Sequence, residues 1–140
     1  MTLLVDTCVW SLALRRRNRD VSRWEAATIS ELLKAIQQGS ARMLGIVRQE
    51  LLTGIKTRQQ FEALKLHLSA FPDVEIKSED YIEAARLANA CRAKGVAAPV
   101  AEMLLCAVAI RENWLIFTSD PVFDRYAKII GVQLHGHFLE

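Results

Sequence analysis

Leu3-Leu4-Val5-Asp6-Thr7 is the stretch that decides the fold: a short apolar run, begun almost at the first residue, that stops at once on a carboxylate. An apolar run this short, without polar alternation, suits a strand buried on both faces of a parallel sheet. In open α/β sheets, ligands bind in the crevice outside the carboxyl ends of the strands. Asp6 is therefore expected at the lip of that crevice. Asp also caps helices well, and a cap for the helix that follows is the plainer reading of Asp6 taken alone.

Downstream of that strand, Cys8 to Leu14 reads as a short helix that runs out into a polar segment, Arg15 to Asp20. Ser22 followed by Glu25 is a capping-box pattern opening a second helix, which Gly39 stops. Ala41 to Leu44 is a candidate strand, followed by a helix between Gly45 and Gly54. Phe61, Leu64, Leu68 and Phe71 recur at helical spacing before Pro72. Val74 to Ile76 is a further short strand candidate. Ser78 is expected to cap a helix with Glu79 and Asp80 in its first turn, where the dipole favours acids, and Gly95 to close it. Pro99 opens the most apolar helix, up to about Asn113. Leu115 to Phe117 is a strand ending in Thr118-Ser119-Asp120, Pro121 starts the last helix, and Val132 to Leu134 is a last strand or tail. Short strands alternating with helices, with no repeat or linker, predict one α/β domain over residues 1–140. Its centre is expected to be a mainly parallel sheet of four to five strands flanked by helices.

With 140 residues, 51% hydrophobic and 24% charged, the chain has the balance of an ordinary globular domain that buries a real core. Its longest apolar run, Met103 to Ile110, falls well short of the roughly 20 residues a membrane helix needs. No basic and apolar leader precedes the first strand, so export is not expected and the cytoplasm is. Cys8, Cys91 and Cys106 lie in apolar helical patterns and read as small buried thiols, not as a disulfide frame or a zinc site. A net charge of +2 identifies no nucleic-acid binder, but Arg15, Arg16, Arg17, Arg19 and Arg23 are clustered and could follow a phosphate backbone. The same cluster reads equally as a solvated loop.

Chemistry is carried by acids. Leu-Leu-Val-Asp6 and Leu-Ile-Phe-Thr-Ser-Asp120 are both buried-type runs that end in a carboxylate before a helix. If the strands are neighbours, both acids open into one crevice. Glu50 and Glu102 stand among apolar residues, and Asp124 shares a helix face with Asp120. Taken singly, Glu50 could be a solvated helix residue, Glu102 a dipole-compensating acid and Asp120 an N-cap. Carboxylates converging on one spot repel and raise one another's pKa unless a cation neutralises them. An all-oxygen set without a cysteine or histidine ligand pattern suits Mg²⁺ or Mn²⁺, ions that activate water and clamp a phosphate for in-line displacement.

Four pieces, in order, resemble the PIN-domain ribonucleases, especially the VapC-type toxins of toxin–antitoxin pairs. They are Leu4-Val5-Asp6-Thr7, Glu50-Leu51-Leu52-x-Gly54, Glu102-x-Leu104-Leu105-Cys106-Ala107-x-Ala109 and Phe117-Thr118-Ser119-Asp120-x-x-Phe123-Asp124. The resemblance covers essentially the whole chain. It implies a PIN-like fold and a Mg²⁺- or Mn²⁺-dependent endoribonuclease acting on RNA, tRNA or another structured RNA among the candidates. Asp6, Glu50 and Asp120 match family acids, while Thr7, Thr118 and Asp124 fall at accessory positions. Asp6, Glu102 and Asp120 are then expected to hold the metal, with Glu50 completing the catalytic set. Glu102 departs from the family pattern, which usually has Asp there. The alternative it raises is a catalytically impaired module that binds RNA or a partner without cutting. The resemblance also implies a homodimer and a VapB-type antitoxin that blocks the acidic site, often with an Arg-bearing segment that suits a carboxylate pocket.

The remaining polar candidates are weaker. His135 and His137 are expected to be solvated or at an interface, and His67 on the surface. Trp10, Trp24 and Trp114 have the spacing of core or interface residues, and nothing marks them as a base-stacking platform.

Overall fold

The computed structural model describes residues 1–15 and 21–136, with only the backbone of Arg15. Strand β1 (Leu3–Val5) leads into α1 (Thr7–Arg15), and α2 (Arg23–Gln37) leads to β2 (Ala41–Arg42). Helices α3 (Gly45–Leu52), α4 (Arg58–Leu68), α5 (Ser78–Ala93) and α6 (Val100–Glu112) follow. Strand β3 (Leu115–Phe117) and α7 (Val122–Ile130) end the described elements.

The sheet order is β2-β1-β3, all parallel, with Leu4 opposite Ile116 and Val5 opposite Phe117. All three β1 residues are buried, as a central strand covered on both faces requires. The ladder continues one residue beyond β1, because Asp6 N donates to Phe117 O at 2.9 Å. That bond sets the end of β1 beside the end of β3, so Asp6 and Thr118 open into one crevice.

Among the described residues the sheet has three strands, not four to five. The expected strand at Val74–Ile76 is a single parallel bridge, Met43 to Asp73, and the expected one at Val132–Leu134 is a single bridge, Ile116 to Leu134. Both segments lie where outer strands would, but each runs out of partners at once. Pro72 brings no N–H, and the Arg48 guanidinium holds the segment instead, donating to Asp73 Oδ1 at 2.8 Å, to Leu68 O at 2.9 Å and to Phe71 O. At the other edge, Gly131 ends α7 with φ +74°, which favours a residue without Cβ, and the chain then turns back along Ile116.

The capping box of α2 forms: Ser22 Oγ accepts from Glu25 N at 3.3 Å and Glu25 Oε1 accepts from Ser22 N at 2.9 Å. Ser78, in contrast, is the first residue of α5 and not its cap. Lys77 occupies the cap position, and its N–H goes to Asp80 Oδ2 at 2.8 Å. Asp80 is also more than a dipole-compensating acid. It is buried, and Arg111 on α6 donates to its Oδ1 at 2.7 Å and its Oδ2 at 3.0 Å. Helix α6 is buried on every side from Met103 to Ala109, which its uniformly apolar sequence demands. Trp10 is buried against Phe71, Trp24 is exposed, and Trp114 lies under the Arg42 guanidinium. No helix among the described residues is long and apolar enough to cross a membrane.

Candidate active site

Asp6 both caps and faces the crevice. Its carbonyl accepts from Val9 N and Trp10 N at the start of α1. Its carboxylate is held at both oxygens: Oδ1 by Thr7 N at 2.8 Å and Oδ2 by the Thr118 hydroxyl at 2.8 Å and the Cys8 thiol at 3.4 Å. Thr118 Oγ1 in turn accepts from Asp120 N at 3.1 Å, so one hydroxyl ties together the acids that end β1 and β3. Asp120 Oδ1 accepts from the N–H of Val122, the first residue of α7, at 3.0 Å. Thr7 makes the second tie, donating through Oγ1 to Glu50 Oε1 on α3 at 2.6 Å. Glu102, in the first turn of α6, accepts through Oε1 from the Tyr126 hydroxyl of α7 at 3.2 Å.

Hydrogen bonds thus tie five expected residues together at one edge of the sheet, Asp6, Thr7, Glu50, Thr118 and Asp120, while Glu102 is joined to them by charge and bonded to Tyr126. Asp124 is half-buried in the first turn of α7, and no described contact joins it to the group. Arg16, Arg17 and Arg19 lie outside the described residues, as do the side chain of Arg15 and His137. Arg23 is exposed at the first position of α2. His67 is exposed on α4, and His135 packs edge-on against Phe117, with Nε2 3.6 Å from Glu31.

Cys8 differs from the expectation of a small buried thiol. Cys91 and Cys106 are buried, but Cys8 is half-buried within the acid network, where its sulfur also accepts from Ser119 N and Oγ at 3.4 and 3.3 Å. Its position two residues after Asp6, at the start of a helix beside a strand end, is the sequence signal that would have placed it. Tyr126 was also missed, and no local spacing links it to Glu102.

Charge converges here although the hydrogen bonds differ. Burial pushes the Asp6 carboxyl up, its hydrogen bonds from Thr118, Thr7 and Cys8 oppose that, and the Asp120 charge adds to it. Burial likewise raises Glu102 against the Tyr126 hydrogen bond, and the charges of Asp120, Asp6 and Glu50 raise it further. Four acids, two just past strand ends and two on helices, therefore share one field. Among the described residues none of the four is ion-paired to Lys or Arg, so the field calls for a cation from outside the chain. An oxygen-only set of this kind fits Mg²⁺ or Mn²⁺ chemically. The side chains are not drawn onto one point, since no three described His, Cys, Asp or Glu groups are placed to grip an ion as they stand. Each carboxylate rests on a protein donor instead.

The sign of the pH effect follows. With raised folded pKa values, the folded chain holds protons at Asp6 and Glu102 that the unfolded chain has released above about pH 4. Stability without divalent metal is expected to fall as pH rises from the ordinary carboxylate range through those raised values. Saturating Mg²⁺ is expected to reverse that loss, raising the melting temperature more at pH 8 than at pH 4.5, as thermal melts with and without the ion will show.

A family model of the PIN domain matches residues 3–129. No curated protein sequence matches the chain. Among solved structures it is similar to VapBC2 from Rickettsia felis bound to a DNA fragment from their promoter, with 20% identity over 96% of this chain and 98% of that one and a TM-score of 0.71. FitAcB from Neisseria gonorrhoeae matches at 16% identity over 96% and 97% of the two chains, with a TM-score of 0.73. VapBC-1 from nontypeable Haemophilus influenzae matches at 14% identity over the full length of both, with a TM-score of 0.69. At such identities the structural likeness is one of fold. The family match spans nearly the whole chain and includes Asp6, Glu50, Glu102 and Asp120: the protein belongs to the PIN-domain family.

Proposed function

We propose that this protein is a divalent-metal-dependent endoribonuclease and the toxin of a VapBC-type toxin–antitoxin pair, acting in the cytoplasm. The observation that carries the reading is the meeting of Asp6, Glu50, Glu102 and Asp120, from two strand ends and two helices, at the carboxyl edge of the parallel sheet. Asp6, Glu102 and Asp120 would hold Mg²⁺ or Mn²⁺. The ion, when bound, supplies a Lewis acid that polarises the scissile phosphate and eases deprotonation of water.

The chain's own residues do the rest. Thr118 and Thr7 N fix both oxygens of Asp6, so its orientation is set before any ion or substrate arrives. Glu50 is exposed and oriented by Thr7, which leaves its second oxygen open to take a proton from water at the crevice mouth. Attack of that water on the phosphorus breaks the P–O3′ bond, and the departing 3′ oxygen takes a proton from solvent, leaving 5′-phosphate and 3′-hydroxyl ends. Arg23 and the neighbouring arginines would hold the RNA backbone. The acidic crevice suits an antitoxin segment bearing Arg, and the fold's likeness to VapBC complexes supports such a partner. A homodimer belongs to the same reading, and the exposed Tyr81 and Val100 beside the groove between α5 and α6 mark where a second copy would be sought.

The test is incubation of purified protein with total RNA and with tRNA, in Mn²⁺ and in EDTA. Metal-dependent fragments with 5′-phosphate ends are expected. No cleavage at any divalent ion tested would overturn the activity.

Glu102 favours a second reading, a module that binds RNA without cutting. Glu102→Asp separates the two. Cleavage within about threefold of the parent is expected if Glu serves as well as Asp, whereas a gain of 100-fold or more would mark the natural chain as impaired.

A further inference from the structure

We propose that Tyr126 is a positioning residue for Glu102, and that its hydroxyl is what lets a glutamate serve where the acid cluster would otherwise take an aspartate. The inference rests on the reading of the cluster as a divalent-cation site. Glu carries one more methylene than Asp and one more rotatable bond, so its carboxylate sweeps a wider volume and loses more freedom when held. Mg²⁺ demands near-ideal geometry. A longer ligand therefore needs a fixed point to rest against.

Tyr126 provides one. Its side chain is buried and its ring meets Phe123 edge-on, with centroids 5.1 Å apart. Its hydroxyl lies 3.1 Å from Ala97 O, in the segment just before α6, and 3.2 Å from Glu102 Oε1. Ring packing thus fixes the oxygen in place, and its single hydrogen is shared between Ala97 O and Glu102 Oε1. It engages one carboxylate oxygen of Glu102 and leaves Oε2 without a hydrogen bond among the described residues. That oxygen is the one left for the ion, on a carboxylate that feels the charges of Asp120, Asp6 and Glu50. Partners of this kind behind a ligand change metal affinity by about 10- to 100-fold when removed.

The experiment is a double-mutant cycle read by Mn²⁺ calorimetry, so that it does not depend on cleavage. Tyr126→Phe keeps the ring and removes the hydroxyl, and is expected to weaken Mn²⁺ binding about 10-fold. In a Glu102→Asp background the shorter carboxylate falls short of the hydroxyl, and the same change is expected to cost less than twofold. Unchanged affinity in Tyr126→Phe would overturn the proposal. Equal losses in both backgrounds would overturn it too, because Tyr126 would then act through the fold.

A second readout uses the natural chain. The protein has two tyrosines, Tyr81 exposed and Tyr126 buried, so ¹³Cζ-tyrosine labelling gives two signals that Tyr81→Phe assigns. Saturating Mg²⁺ is expected to shift the Tyr126 signal and leave that of Tyr81 in place. Mg²⁺ binding that leaves Tyr126 unmoved contradicts the proposal even if Tyr126→Phe fails to fold. A parent protein that binds neither ion overturns the cation-site reading itself and the proposal with it. Binding by the parent, with no coupling between the two residues, overturns the positioning role alone.

Discussion

Asp6→Asn is expected to lower metal-dependent RNA cleavage by about 1,000-fold or more while raising, or leaving intact, the melting temperature in metal-free buffer. Loss of a charged ligand removes several kcal/mol of the stabilisation a bound cation offers the reacting phosphate, and about 4 kcal/mol corresponds to that factor. The stability effect has the opposite sign for the same reason. The Asp6 carboxyl is driven up by burial and by the charge of Asp120, so its ionised form is unfavourable in the folded, metal-free chain. Asn keeps a carbonyl for Thr7 N and an amide for Thr118 and the Cys8 sulfur. Single-turnover cleavage and a metal-free thermal melt check the two halves. A variant that cuts like the parent would remove Asp6 from the mechanism, and one that fails to fold would show its role to be architectural.

Asp80→Ala is expected to be the most damaging change outside the site, costing about 3 kcal/mol, or a melting temperature lower by roughly 10 °C. Asp80 is buried, and its carboxylate takes two hydrogen bonds from Arg111 and one from Lys77 N. Arg111 also reaches Glu75 O at 3.1 Å and pairs with Glu112. Removing Asp80 leaves a largely enclosed guanidinium without its main partner and uncaps α5. Replacing Arg111 with Met at the same time is expected to recover part of the loss, since the uncompensated charge goes too. Burial alone would raise the Asp80 pKa, but the Arg111 and Lys77 contacts hold it below the ordinary range. Its contribution is therefore present above about pH 4 and lost as pH falls through the depressed value. Urea melts of parent and variant at pH 7 and pH 3 check this: the gap should narrow at the lower pH.

The acids of the site were legible because each lies at a point that local sequence marks. Asp6 and Asp120 follow short apolar runs, Glu102 follows a helix-opening Pro99, and Glu50 lies ahead of two leucines that face the core side of α3. Strand and helix ends are local events, so the sheet edge that collects the acids could be foreseen. What escaped is the side-chain traffic between distant elements. Arg48 with Asp73, Arg111 with Asp80 and Tyr126 with Glu102 are each made across 20 residues or more. No periodicity announces such pairs. The outer strands failed for a related reason. Val74–Ile76 and Val132–Leu134 have strand composition, but whether an edge segment makes a ladder or one bridge depends on where its neighbours leave it. Cys8 was read as core because its neighbours are apolar, yet the first turn of α1 turns it toward Asp6 and Ser119.

The central claim is that Asp6, Glu102 and Asp120 form the direct ligand set of a divalent cation. Anomalous diffraction from crystals soaked in Mn²⁺ tests it most directly. An ion within bonding distance of carboxylate oxygens of Asp6, Glu102 and Asp120, with Glu50 reaching it directly or through water, is the predicted result. Soaked crystals with no ion within bonding distance of Asp6 would contradict the account and return that residue to the role of a helix cap.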